Sequence, residues 1–403
     1  MDQISEDSLD YALRMRKYQI ETLRREVPHG GYVVSVIRDF PLASMGLLDP
    51  WDRPKWPFSK WSWHREQMIL LTTPRDRFCF REDQPLKVRI SLATTEEEYA
   101  RPSDVELVLR DESGTSVERK RIRWDADPAF SDLRFQVPAD TQRKDDLPRR
   151  FTLQAHSANH GGIANAWSLW TVPPRVSATW SSPWLRAHAS LSADQLPSGV
   201  TISPLEPQAT AAKSRKLVVL TSRLDEALLS GLESGGAVIL LPNNHTDSFP
   251  TREHWFLRGG PVIHSVGDRH GALRRFVLEL QHFDLAGPVV PEIDHYLADV
   301  EPWVVLWDNH DLADCRTHGV LFRIPVGKGT LWVSTMNHRA EAGRWLLEYL
   351  IRELRSAGQT HTAESAVSTR WLERFRRELA FRKLALESKT WRFRPDLHEE
   401  GVA

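Results

Sequence analysis

Three things are scarce in this 403-residue chain. There are only two cysteines, Cys79 and Cys315, which excludes a disulfide framework and a cysteine-rich zinc site. No apolar run approaches the roughly 20 residues of a membrane-spanning helix. Neither sign of charge dominates: 53 Lys+Arg stand against 54 Asp+Glu. A protein whose main partner is nucleic acid needs a basic face for counterion release, so the balance argues against that class. The opening residues Met1 to Asp7 are acidic and polar, without the basic and then apolar pattern of an export signal; as written, the chain is expected in the cytoplasm. What is abundant is tryptophan, 16 residues. Length implies two or three domains.

Hydrophobic periodicity divides the chain into five parts, a multidomain α+β arrangement. In residues 1–65, positions 7 to 27 predict an amphipathic helix with Leu9, Leu13, Ile20, Leu23 and Val27 at helical spacings. Pro28 to Gly31 stops it, and Tyr32 to Ile37 reads as a short buried strand. One helix and one strand make no core, so this part looks like the end of something larger. Residues 50 to 63 hold Trp51, Trp56, Trp61 and Trp63 among three prolines, which predicts an ordered loop wrapped over apolar surface.

Over residues 66–175 the period becomes two. Leu86-Val88-Ile90-Leu92, Val105-Leu107-Leu109, Leu133-Phe135-Val137 and Phe151-Leu153-Ala155 alternate with polar residues, and Trp167 and Leu169 close the series. Short alternating strands between polar turns suggest an immunoglobulin-like β-sandwich. Residues 176–216 are weakly patterned and read as a linker or irregular strands. In 217–357, Leu217 to Leu220, the stripe Leu224-Leu228-Leu232, Gly235-Gly236 and Ala237 to Pro242 spell a βαβ unit. Strands at 319–324 and 330–334 joined by a Gly327-Lys328-Gly329 turn follow, then a helix at about 340 to 355, which suggests a flavodoxin-like α/β domain. The tail, 358–403, carries an amphipathic helix at about 366 to 388, with Trp371, Phe375 and Leu379 on one face and arginines on the rest.

The strings Gly31-Tyr32-Val33-Val34, Gly46-Leu47-Leu48-Asp49 and Arg53-Pro54-Lys55, preceded by the Lys17 to Arg25 helix, resemble the end of the catalytic barrel in glycoside hydrolase family 2. There a helix leads to the eighth barrel strand, and a loop then ends in G-L-L-D and R-x-P-K. Asn165-x-Trp167-x-Leu169-Trp170-x-x-Pro173 resembles a motif of that family's downstream immunoglobulin-like domain, and Leu217 to Leu241 resembles the α/β unit of some bacterial members. The resemblance implies a β-glycosidase scaffold. It also implies what is missing. Family 2 enzymes retain configuration through two carboxylates about 5 Å apart, which they carry on the fourth and seventh barrel strands, and this chain starts after the seventh. The eighth strand also departs: Val36 stands where relatives often have Glu, Leu42 where they have Trp, and Met45 where they have Asn, while Asp39 is kept. The expected function is therefore the non-catalytic C-terminal part of such a protein, active only if a separate chain supplies the rest of the barrel. The alternative is a stand-alone glycan-binding or scaffold protein.

Asp39 is a candidate to polarise a sugar hydroxyl, against a loop-capping role. Trp51, Trp56, Trp61 and Trp63 are candidates to stack on sugar rings, against plugging the barrel or sealing it to the sandwich. No catalytic residue, metal site or cofactor is assigned. Asp308, Asn309, His310, Asp311, Asp314 and His318 read as polar turns rather than ligands. Cys315 lacks the glycine-flanked elbow of a nucleophile. The glycine pairs are too short for a phosphate loop. An independent α/β enzyme would use Thr221, Ser222, Asn243, Asn244 and His245 beyond the first two strands.

Overall fold

The computed structural model describes residues 2–28, 30–40, 45–61, 64–94, 104–124, 130–138, 147–157, 162–174, 184–197, 200, 202–203, 217–242, 248, 251–253, 263–265, 272–291, 302–308, 316–356, 373 and 376–377. The chain is mixed α+β, mostly sheet with few helices.

Helix α1, Asp2–Glu26, carries Arg24 and Arg25 in its last turn, where they complement the dipole, and Pro28 follows its end. Its buried residues are Tyr11, Met15, Ile20, Glu21 and Arg24. The expected stripe is therefore only partly the docked face: Leu9, Leu23 and Val27 are exposed. The rotation follows from polar anchors. The Arg24 guanidinium donates to the carbonyls of Arg65 and Glu66, and Glu21 reaches strand β8, described below.

The expected strand at 32–37 is not one. The segment is extended, but among the described residues it joins no ladder. Tyr32 and Val34 pack inward, while Val33 is 93% and Ile37 63% exposed. A strand is held by neighbours on its edges, and none of the described residues supplies one.

The next eight strands are β1 Gln67–Thr72, β2 Cys79–Arg81, β3 Leu86–Thr94, β4 Asp104–Arg110, β5 Ser116–Arg123, β6 Phe130–Phe135, β7 Arg149–Ser157 and β8 Ile163–Val172. They form a three-stranded sheet ordered β1-β3-β6 and a five-stranded sheet ordered β2-β8-β7-β4-β5. The two share one core that includes Ile90, Leu107, Phe135, Leu153 and Trp167. Strand β1 reads as an unbroken apolar run because both its faces are covered. Ile69 and Leu71 point into the sandwich, while Met68 and Leu70 meet Ile20, Leu47 and Trp56 of the N-terminal part. Strand β5 was not expected from its charged sequence; it is the sheet's exposed edge.

The remaining elements are β9 Leu185–His188, β10 Ile202–Ser203, β11 Val218–Thr221, α2 Glu226–Glu233, β12 Ala237–Leu240, β13 Thr251–Glu253, β14 Ile263–Ser265, α3 Ala272–Leu278, α4 His282–Leu285, β15 Val289–Pro291, β16 Pro302–Asp308, β17 Arg316–Val326, β18 Gly329–Ser334 and α5 Glu341–Ser356. Eight strands form one sheet ordered β10-β9-β11-β12-β18-β17-β16-β14. β11 and β12 are parallel with α2 between them, capped by Asp225. The segment read as linker or irregular strands thus contributes β9 and β10 to this sheet. From β18 to β14 the pairing is antiparallel, which differs from the all-parallel sheet of a flavodoxin-like domain.

The sheet's core runs on into the sandwich: Cys79, Trp170 and Val172 belong to the same cluster as Phe276, Trp332 and Trp345. Across that junction Arg81, 0% exposed, pairs with Glu341 at 2.7 Å and Glu348 at 3.2 Å and donates to the Pro173 carbonyl. Burial opposes the Arg81 charge, but Glu348 and Glu341 outweigh it and hold the guanidinium above its ordinary range. Of the tail helix, Glu373, Arg376 and Arg377 are described and helical. Arg376 reaches Glu226 at 2.6 Å and Glu233 at 3.2 Å on α2.

Candidate functional site

The sequence-derived candidates start with Asp39. It is buried, and both its oxygens are used: Oδ2 lies 2.7 Å from Lys55 Nζ and Oδ1 accepts from the Gly46 amide at 2.6 Å. Asp49 accepts from the amides of Trp51 and Arg53, both at 2.9 Å, and pairs with the Arg53 guanidinium at 2.6 Å. A Cβ on Gly46 would meet the Asp39 nitrogen at 2.5 Å, so this turn closes only around glycine. The G-L-L-D and R-x-P-K strings thus fold one loop onto itself, with Lys55 and Asp39 as its buried clasp. Leu42 lies outside the described residues.

The four tryptophans are not brought to one surface. Trp56 is buried, and its indole donates to the Leu9 carbonyl of α1 at 3.1 Å. Trp61, half-buried, donates to the Trp56 carbonyl at 3.2 Å and meets the Phe58 ring edge-on. These two hold the loop to the helix. Trp51 is 73% exposed, with the Arg53 guanidinium 5.0 Å from its ring centroid. Trp63 lies outside the described residues.

The α/β candidates are occupied locally or not described. Thr221 and Ser222 are buried; Thr221 donates within its own turn to the Arg223 carbonyl, and Ser222 donates to the Ser190 carbonyl just beyond β9. Asn243, Asn244 and His245, and residues 309–315 with Cys315, lie outside the described residues. Burial pushes the Cys79 thiol well above its ordinary range, which suits a core residue and not a nucleophile. Among the described residues no three His, Cys, Asp or Glu are placed to hold a metal ion.

The polar centre that residue typing missed is made by Glu21 and Glu279, both buried. Glu21 accepts from Asn165 at 2.7 Å and from the Trp167 indole at 3.0 Å, and pairs with Lys17 at 2.5 Å. Asn165 also donates to the Ile69 carbonyl. Glu279 accepts from the Trp170 indole at 2.7 Å and pairs with Arg14 at 2.6 Å and Arg150 at 3.0 Å. The N-x-W-x-L-W string is therefore a row of donors along β8 that grips one carboxylate on α1 and one after α3. Both glutamates border one cleft, yet each carboxylate is held by an indole and at least one cation. A nucleophile needs a free lone pair aimed at the reacting carbon, and these carboxylates act instead as buried acceptors that join three parts of the chain.

No protein-family model matches the chain, and no curated protein matches it. Among solved structures, the β-glucuronidase of Parabacteroides merdae is 12% identical, with a TM-score of 0.19, over 43% of this chain and 23% of that one. The β-glucuronidase of Faecalibacterium prausnitzii is also 12% identical, with a TM-score of 0.17, over 43% of this chain and 28% of that one. CopC from Methylosinus trichosporium OB3b is 9% identical, with a TM-score of 0.19, over 27% of this chain and 93% of that one. The chain thus spans about a quarter of the length of the glucuronidases it matches.

Proposed function

We propose that this chain is the non-catalytic C-terminal part of a family 2-like glycoside hydrolase of the β-glycosidase type. In this reading α1 and residues 31–37 are the last helix and strand of a (β/α)8 barrel. The two-sheet sandwich is the immunoglobulin-like domain, and residues 217–357 are a variant of the flavodoxin-like one. Hydrolysis requires a second polypeptide that supplies the rest of the barrel and its two carboxylates.

One observation carries the reading. Of the eleven large hydrophobic side chains left exposed among the described residues, nine lie between Leu9 and Phe58. Two of them, Val33 and Ile37, lie on an extended segment whose Tyr32 and Val34 pack inward and which joins no ladder among the described residues. Such a bare apolar surface supports the reading of an element that packs against further structure. The sequence strings that resemble the barrel end fall on this same segment. The test is turnover of aryl β-glycosides. The purified chain should show none, whereas co-expression with a barrel-bearing polypeptide encoded beside it should give a stable complex and hydrolysis. Turnover by the isolated chain would overturn the proposal.

The second reading, a stand-alone glycan-binding protein, is favoured by the exposed indole of Trp51. It expects retention on a glycan column without any second chain, lost on Trp51→Ala.

A further inference from the structure

A separate feature lies on the sandwich. A cleft of about 770 Å³ opens between α1, residues 59, 60 and 65, and the outer surface of β7 and β8, within the roughly 300–1,000 Å³ typical of small-molecule sites. Its floor is set by register. Thr152 pairs with Ser168, Gln154 with Ala166 and His156 with Ala164, and side chains on one face of a strand recur about every 7 Å. A polar row on β7 therefore runs beside a methyl strip on β8, where Ala164 and Ala166 are exposed. The side-chain volume that alanine lacks makes a trough.

The charged groups of the walls are already engaged inside the protein. Arg14 pairs with Asp10 and Glu279, Lys17 with Glu21, and Arg150 with Glu279. Arg65 donates to the Gly162 carbonyl, and Lys60 also has a partner. The bonding capacity left over is uncharged. Gln154 uses its carbonyl oxygen on Arg110, which leaves the amide NH2 as donor. Ser168 accepts from Arg150 at 2.8 Å, which leaves its own proton to give. The Thr152 hydroxyl has no partner among the described residues, so it can both donate and accept. An apolar ligand would leave these groups dry and unpaired, at a cost. A peptide cannot join as an added strand, because β7 already has β8 and β4 on its two edges. What fits is an uncharged ligand with hydroxyls on its rim and a C–H face beneath.

We propose that this cleft binds a short neutral oligosaccharide. Its hydroxyls meet Thr152, Gln154 and Ser168, and the C–H face of its rings lies over Ala164 and Ala166. The site depends neither on the barrel reading nor on Trp51, which does not line the cleft.

Calorimetric titration of the full chain with maltotriose, cellotriose and mannotriose tests this, beside trigalacturonate and acetyl-trialanine-amide. At least one neutral trisaccharide should bind with a sub-millimolar dissociation constant that does not change as salt rises. The acidic sugar and the peptide should both bind more weakly than that trisaccharide. Thr152→Val with Gln154→Ala should cost about tenfold in affinity, the loss of two hydrogen bonds. Ala164→Leu with Ala166→Leu, which fills the trough from exposed positions, should cost at least as much, and Trp51→Ala should change nothing. Thermal melts of each variant within a few degrees of the parent separate lost binding from lost folding. Absence of binding by all three sugars, or binding that survives either double variant, overturns the site. Peptide binding as tightly overturns the saccharide assignment, and trigalacturonate binding as tightly overturns the selection of a neutral ligand. Binding lost on Trp51→Ala would move glycan recognition to the N-terminal loop and overturn the proposal.

Discussion

His338 sits fully buried with both ring nitrogens engaged, Nδ1 donating to the Gly343 carbonyl at 2.8 Å and Nε2 accepting from Ser334 at 2.9 Å. Burial lowers its pKa to about 4, so the folded state refuses a proton that the unfolded chain accepts near 6.5. The unfolded state then binds more protons between those values, and stability falls as pH drops through that window. Denaturant unfolding at pH 7 and pH 5 should show the parent losing about 2 kcal/mol more than His338→Gln on acidification. A parent and variant with parallel pH dependence would refute this. Arg81 makes the complementary case. Its removal leaves Glu341 and Glu348 at the domain junction without their cation, so Arg81→Met should cost about 3–5 kcal/mol. Adding Glu348→Gln should restore part of that, read as recovery of the unfolding midpoint; a double variant less stable than the single one would contradict the pairing. Neither residue announces itself in sequence: Arg81 follows Phe80 in a strand of three residues, and its partners lie 260 and 267 positions away.

At the scale of elements, helix α1 shows how polar contacts can outvote a hydrophobic stripe. Leu9, Leu23 and Val27 would serve a core, yet the docked face is the one bearing Glu21 and Arg24, because these find donors on β8 and acceptors at 65–66. Trp167→Phe keeps most of the ring's volume and removes one donor to Glu21. It should loosen the helix by about 1–3 kcal/mol, the cost of a buried acceptor left short, visible as faster amide exchange confined to residues 2–26. Unchanged exchange there would show that the indole bond does not hold the helix. Segment 31–37 is the converse. Its β-branched run was legible as strand-forming, but strand formation is a property of pairs, and no described element pairs with it. Strand β1 illustrates the same limit: QMILLT has no period because two different cores claim its alternate residues.

For the molecule as a whole, the continuous core through Cys79, Trp170 and Trp345 makes the sandwich and the eight-stranded sheet one packed body, whereas the N-terminal part leaves its apolar face to solvent. The isolated chain should therefore self-associate, and Val33→Lys with Ile37→Lys should shift it to monomer in size-exclusion chromatography with light scattering. The same pair should abolish assembly with any barrel-bearing partner. A parent that is monomeric at high concentration would show that this face needs no cover. By itself the sequence determined the α+β class, the alternating strands at 86–92 and 151–155, and the βαβ unit at 217–242, because these follow from the spacing of neighbours along the chain. The tertiary structure alone decided which face of α1 is buried, that 185–188 and 202–203 join a sheet, that Asp39 is clasped by Lys55, and that Asn165 and Trp167 grip Glu21. Each of those joins residues whose separation in sequence carries no period to read, and the choice among partners is made by packing and by the cost of leaving a buried charge unmatched.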